Sequence, residues 1–195
     1  MQILEVLVDA LRATHLVLFA AGMGTGLYCD FRMLRMFRDP IGSSEISSLS
    51  NVHSWVSLAF CGLWATGVTL IYVRTDFDLS TFSPKLWLKL GIMSILLANS
   101  ILISRVVLPI LDANSGRSLA ELSPTNLMIV SQIAITSMFC WTSGLLLGSS
   151  VVLRSASWEV LVPLAAGWFL LLSVFGQIVV TIMQRRMHPK IQEHA

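Results

Sequence analysis

Five long apolar segments limit what this chain can become. They run over about residues 10–29, 52–73, 86–108, 126–150 and 160–183. A helix needs about 20 mostly apolar residues to cross a hydrocarbon core of about 30 Å. In lipid every backbone polar group must be satisfied within the segment, so runs of this length predict helices. The connectors carry the breakers and charges: DFRMLRMFRDPIGSSEISSLSN, RTDFDLSTFSPK, DANSGRSLAELSPT and RSASWE, followed by the tail QRRMHPKIQEHA. The expected fold is all-α, a polytopic membrane bundle of five transmembrane helices forming one domain over residues 1–195.

Composition agrees with this. Only 12% of the residues are charged, about half the share in soluble domains, and the mean hydropathy is +0.76. The net charge of +2 is small and the basic residues are scattered. No basic run is interleaved with aromatics, which argues against a nucleic-acid partner; the expected partners are the lipid bilayer and other membrane subunits. Cys29, Cys61 and Cys140 form no C-x-x-C pair, so a disulfide framework or zinc knuckle is not expected. The opening MQILEVLVDALRATH has acidic residues and no basic leader, unlike a cleaved signal peptide.

Lysines and arginines near span ends set orientation. With the N-terminus outside, eight of the 13 basic residues fall inside: Arg32, Arg35, Arg38, Arg105, Arg117, Arg185, Arg186 and Lys190. The expected topology is therefore N-out and C-in. Arg32, Arg35 and Arg38 recur every third residue, as on a helix lying along the inner interface with its arginines reaching lipid phosphates. Ser50 or Asn51 is placed to cap the second span, and Thr125 or Asn126 the fourth.

At about 100° per residue, His15, Gly22, Gly26 and Cys29 share one face of span 1. Gly22 and Gly26 form a G-x-x-x-G, which lets a neighbouring helix approach, so His15 should face protein. Two roles suit it: a hydrogen bond to a hydroxyl or carbonyl on the next helix, or a ligand. His53, Ser57, Phe60, Trp64 and Gly67 form an inward stripe on span 2, with His53 near the inner interface. His15 and His53 lie roughly 20 Å apart in depth across the core. The axial nitrogens of one haem are only about 4 Å apart, which excludes a haem shared by this pair.

Cys140 and Met138 come near the expected depth of His15. Imidazole, thiolate and thioether together suit Cu(I), making His15, Cys140 and Met138 a candidate metal set. Trp64, Trp141 and Trp168 also fall in that half. Aromatic walls around a histidine suit a planar ligand such as a haem or quinone, and ordinary packing equally; His15, Trp64 and His53, the last also readable as a plain interfacial histidine, are the cofactor-binding candidates, while Trp141 is expected to turn toward lipid. In span 3, Lys85 and Lys89 share a face with Leu96, Asn99 and Ile103. Lys89 is deep enough to snorkel outward, or to attract an anion or lipid headgroup. Asn99 can knit helices together, and Arg105 can pair with Asp30. His188 and His194 are in the tail. There is no G-x-S-x-G, H-E-x-x-H, phosphate-binding loop or carboxylate pair within a span, so no enzyme is expected.

Over residues 11–150 the pattern resembles the inner-membrane copper-resistance D family and its relatives. The resemblance rests on His15 followed by Gly22, Gly24 and Gly26. It also rests on Thr66-Gly67 late in span 2 and on Lys85, Lys89, Asn99, Arg105 and Pro109 through span 3. It implies a bacterial inner-membrane protein that handles a metal, copper or haem, near His15. The alternatives are a non-catalytic accessory subunit of a larger membrane complex and a b-type membrane cytochrome.

Overall fold

The computed structural model describes the backbone from residue 2 to 192 and side chains from residue 3 to 187; those of His188, Lys190 and His194 lie outside the described residues. The described chain is helical. Helix α1 spans Gln2–Arg35, α2 Ser43–Thr75, α3 Pro84–Leu102, α4 Leu108–Ala113, α5 Pro124–Ser149 and α6 Trp158–Gln192. Residues Ile103–Val107 form a π turn that joins α3 to α4 in one continuous rod.

Among the described residues four helical rods are long and apolar enough to cross a membrane: α2, α3 with α4, α5, and α6. They mark a multi-pass membrane protein. Helix α1 is long enough, at 34 residues, but is not among these four.

The helix starts follow from sequence. Ser83 accepts from the Leu86 N–H at 3.3 Å and precedes Pro84. Ser123 accepts from the Asn126 N–H at 3.2 Å and precedes Pro124. Proline at the first helical position loses no hydrogen bond, and serine satisfies an orphan donor. The predicted caps at Ser50, Asn51, Thr125 and Asn126 are therefore displaced. Helix α2 starts earlier than its apolar run, where the Glu45 carboxylate accepts from the Gly42 N–H at 3.2 Å.

Successive long helices run antiparallel, and α5 is the central one. Its inward residues include Val130, Cys140, Trp141 and Leu147. The Trp141 ring lies under α1, where a side chain on Gly22 would meet it at 2.6 Å and one on Gly26 at 3.2 Å. Phe60 of α2 packs against the same ring with centroids 6.2 Å apart. Trp141 is 2% exposed. The expectation that it turns toward lipid is corrected: the two glycines open α1 to an aromatic ring instead of to a neighbouring backbone.

Two buried clusters divide the bundle by depth. One end, here the arginine end, is closed by the first and third connectors. Ile41 and Arg117 exchange a backbone bond of 2.9 Å, as do Gly116 with Ile41 and Leu119 with Met36. Met36, Phe37 and Ile41 are buried there. The helix expected to lie along the interface after span 1 thus stops at Arg35, and its apolar residues plug the bundle. Arg32 binds the Ser48 hydroxyl at 3.2 Å and lies 3.8 Å from Glu45.

The second and fourth connectors meet at the other end, the lysine end, where Lys85 donates to the Ser150 carbonyl at 2.8 Å. The start of α1 lies at the lysine end. The later part of α6 lies at the arginine end, where Gln184 donates to the Leu122 carbonyl at 3.2 Å.

The π turn has a local cause. Pro109 has no N–H to give the Arg105 carbonyl and its ring crowds that carbonyl, so the helix loosens by one residue. The wider turn shifts the phase of Arg105, which is exposed. The expected Asp30–Arg105 pair is corrected: no ion pair joins them among the described residues.

Candidate functional site

Each of the two described histidines is held by a hydroxyl on the next helix. His15 Nδ1 of α1 lies 2.8 Å from Thr66 Oγ1 of α2. His53 Nε2 of α2 lies 2.9 Å from Ser104 Oγ, in the π turn. His15 and His53 are both half-buried. Thr66 stands 13 positions beyond His53 on the same helix, about 20 Å at the rise of an α-helix. The two rings therefore sit at opposite ends and do not meet.

The hydrogen-bond pattern assigns the tautomer of His15. Thr66 Oγ1 is 2.9 Å from the Gly62 carbonyl and 3.1 Å from that of Leu63, the back-bond of a helical threonine. With its proton there, the oxygen accepts and His15 Nδ1–H donates. The other ring nitrogen, Nε2, then carries a free lone pair. Gly67 makes room for the ring: a side chain there would meet His15 Cε1 at 3.3 Å.

Deeper in the bundle, Phe19 of α1 and Met93 of α3 meet over Gly144 of α5, each 3.0 Å from where a side chain on that glycine would begin. His15 and Lys89 each stand one turn from this contact, toward the lysine end. Lys89 follows the stripe of Ile92, Leu96 and Asn99, which are 3%, 5% and 3% exposed. Asn99 Nδ2 donates to the Ile133 carbonyl of α5 at 3.1 Å, the knitting role expected of it. Trp64 lies between Gly62, which meets Leu18, and Gly67, which meets His15. Its Nε1–H is buried and has no protein acceptor among the described residues. Trp168 instead donates to Thr142 Oγ1 at 3.0 Å.

The soft donors do not converge. Cys140 is fully buried among Phe60, Ile92, Leu96 and Trp141. Met138, two positions earlier and so about 200° round the helix, is 38% exposed. Among the described residues no group of three or more His, Cys, Asp or Glu side chains could hold a metal.

A cavity of about 70 Å³ lies in the arginine half, lined by Cys29, Asp30, His53, Ser137 and Trp141 among others. It has room for a few waters.

Some polar residues were invisible as partners in the sequence. Ser131 donates to Gln177 Oε1 at 3.2 Å, Gln177 Nε2 to Gln132 Oε1 at 3.1 Å, and Gln132 Nε2 to Ser173 Oγ at 3.1 Å, a ladder between α5 and α6. The available signal was a glutamine in each of two apolar runs. Comparison with family models, with curated proteins and with solved structures finds no match to this chain.

Proposed function

We propose that this is a bacterial inner-membrane protein of five spans, N-terminus outside and C-terminus inside, that handles haem or a metal at His15. Haem is the better fit of the two. The observation that carries this reading is the 2.8 Å bond from His15 to Thr66. A ligating histidine commonly donates its other ring N–H to an acceptor that fixes the ring, and Thr66 is placed to do this.

Copper suits the site less well. Met138 and Cys140 diverge on α5, and the positive charge of Lys89 acts on His15, which disfavours a bare cation. A haem b carries carboxylates that such a cation attracts. His15 Nε2 would be its one ligand from the described residues, and Trp64 would offer an N–H at the same depth. When bound, haem supplies one-electron chemistry; the chain holds the ring and its charge.

The paired connectors support the five-span topology. They gather the first and third connectors at one end and the second and fourth at the other. The bias of basic residues puts the arginine end inside.

A second reading has its own support. The most apolar stretch of α6 has none of its residues buried, and Leu170, Leu171, Val174 and Phe175 are exposed. This face suits another membrane subunit as well as it suits lipid, as in a non-catalytic accessory subunit. Elemental analysis of the protein purified in mild detergent separates the readings. Near-stoichiometric iron supports haem and near-stoichiometric copper supports the metal set. A folded sample free of both, purified together with other membrane proteins, supports the accessory subunit.

A further inference from the structure

The lysine end carries cations that no carboxylate answers. Lys89 lies on the buried stripe of α3, and among the described residues its ammonium has neither a hydrogen-bond acceptor nor an ion-pair partner. Lys85 and Arg74, both positive, act on it, and it acts on His15. Lys85 is spoken for by the Ser150 carbonyl at 2.8 Å and has Arg154 nearby. The two ion pairs among the described residues, Arg12–Asp9 and Arg32–Glu45, involve none of these groups.

An uncompensated ammonium in a low-dielectric setting is costly, and like charges beside it raise the cost. A bundle tolerates such a group readily when a counter-charge arrives from outside. A second observation is independent of the charges. The buried Trp64 Nε1–H, also without a partner, lies at the depth of the turn between Leu18 and His15. A buried donor without an acceptor calls for an explanation, and an oxygen-bearing ligand is one.

We propose that the lysine end, at Lys89 of α3 and Trp64 of α2, binds an oxyanion, a carboxylate or phosphate group. Lys89 is its counter-charge, Lys85 and Arg74 draw it in, and the Trp64 N–H is an additional donor. The inference rests on the reading of this end as the ligand-binding end and specifies the chemistry of what enters. The group can belong to an acidic phospholipid or to a water-soluble anion.

Thermal unfolding of the full chain in a neutral detergent tests it. Phosphatidylglycerol is added in mixed micelles against phosphatidylcholine, and inorganic phosphate against sodium chloride of equal ionic strength. The wild type should be stabilised saturably by phosphatidylglycerol, by phosphate, or by both, beyond the matched controls. A response to the lipid alone assigns the site to a headgroup; a response to phosphate assigns it to a soluble anion. Lys89→Met should weaken the response about tenfold or more, the scale of a lost charged hydrogen bond, while Lys89→Arg keeps most of it. Without added anion, Lys89→Met should be at least as stable as the wild type, because the unanswered charge is gone. Equal responses of the wild type and Lys89→Met, or no response beyond the controls, would overturn the proposal. Haem binding that depends on His15, with no anion response at Lys89, would sink this inference alone. An anion response without haem binding would sink the haem reading alone.

Discussion

His15 Nδ1 and Thr66 Oγ1, 51 positions apart in the chain, lie 2.8 Å apart where α1 and α2 cross. The bond ties the first helix to the second and sets which ring nitrogen is free. Thr66→Val keeps the shape and removes the oxygen. The expected cost is about 0.6–1.5 kcal/mol of stability, the range for a single interhelical hydrogen bond. Chemical unfolding in mixed micelles measures it. A variant as stable as the wild type would show that the bond does not hold the pair.

The fit of Trp141 under α1 gives a sharper contrast. A side chain at Gly22 would begin 2.6 Å from the ring, whereas at Gly24 nothing lies within 4 Å. Gly22→Ala must displace a ring that is 2% exposed, at a cost of about 1–3 kcal/mol. Gly24→Ala should be neutral or stabilise by up to about 1 kcal/mol, since alanine favours the helix. Paired melting curves check the order of the two. The reverse order would mean that Trp141 does not pack there.

Gly116 holds the arginine end together with a φ of +86°, a region that side chains avoid. Its N–H donates to the Ile41 carbonyl at 2.9 Å. Gly116→Ala is expected to cost about 1–2 kcal/mol, and hydrogen exchange should rise first at the Ile41, Gly116 and Leu119 amides. Unchanged protection at those amides would contradict the pairing of the two connectors.

The topology has a direct readout. Single cysteines placed at Ser80 and Ser155, in the second and fourth connectors, should react with a membrane-impermeant maleimide on intact cells. Cysteines at Asp39 and Ser115, in the first and third, should react only after permeabilisation. The native chain, with its three cysteines, provides the background. Labelling of all four positions from one side would refute the five-span arrangement.

Much of the architecture was legible because hydropathy is a one-dimensional signal. The runs at 52–73, 86–108 and 160–183 each sit within a helical rod, the run at 126–150 overruns α5 by one residue, and the inward stripe of Phe60 and Trp64 could be read at helical spacing. Contacts were legible only where one helix face decided them, as for Asn99. Trp141 was misplaced because its burial depends on glycines 115 or more positions away in α1, which its own helix does not announce. The Asp30–Arg105 pair failed because one extra residue in a π turn moves a side chain off the face that straight-helix counting gives it. His15 was placed on a protein-facing side, but its partner could be known only once Thr66 was brought across from α2.

The most direct test of the account is haem titration of the purified protein, read by the Soret band, in the wild type and in His15→Ala. The account predicts binding near one haem per chain in the wild type. It predicts loss of that binding in His15→Ala, with helical content by circular dichroism unchanged. A folded wild type that takes up no haem, or a His15→Ala variant that binds it as well as the wild type does, would contradict it.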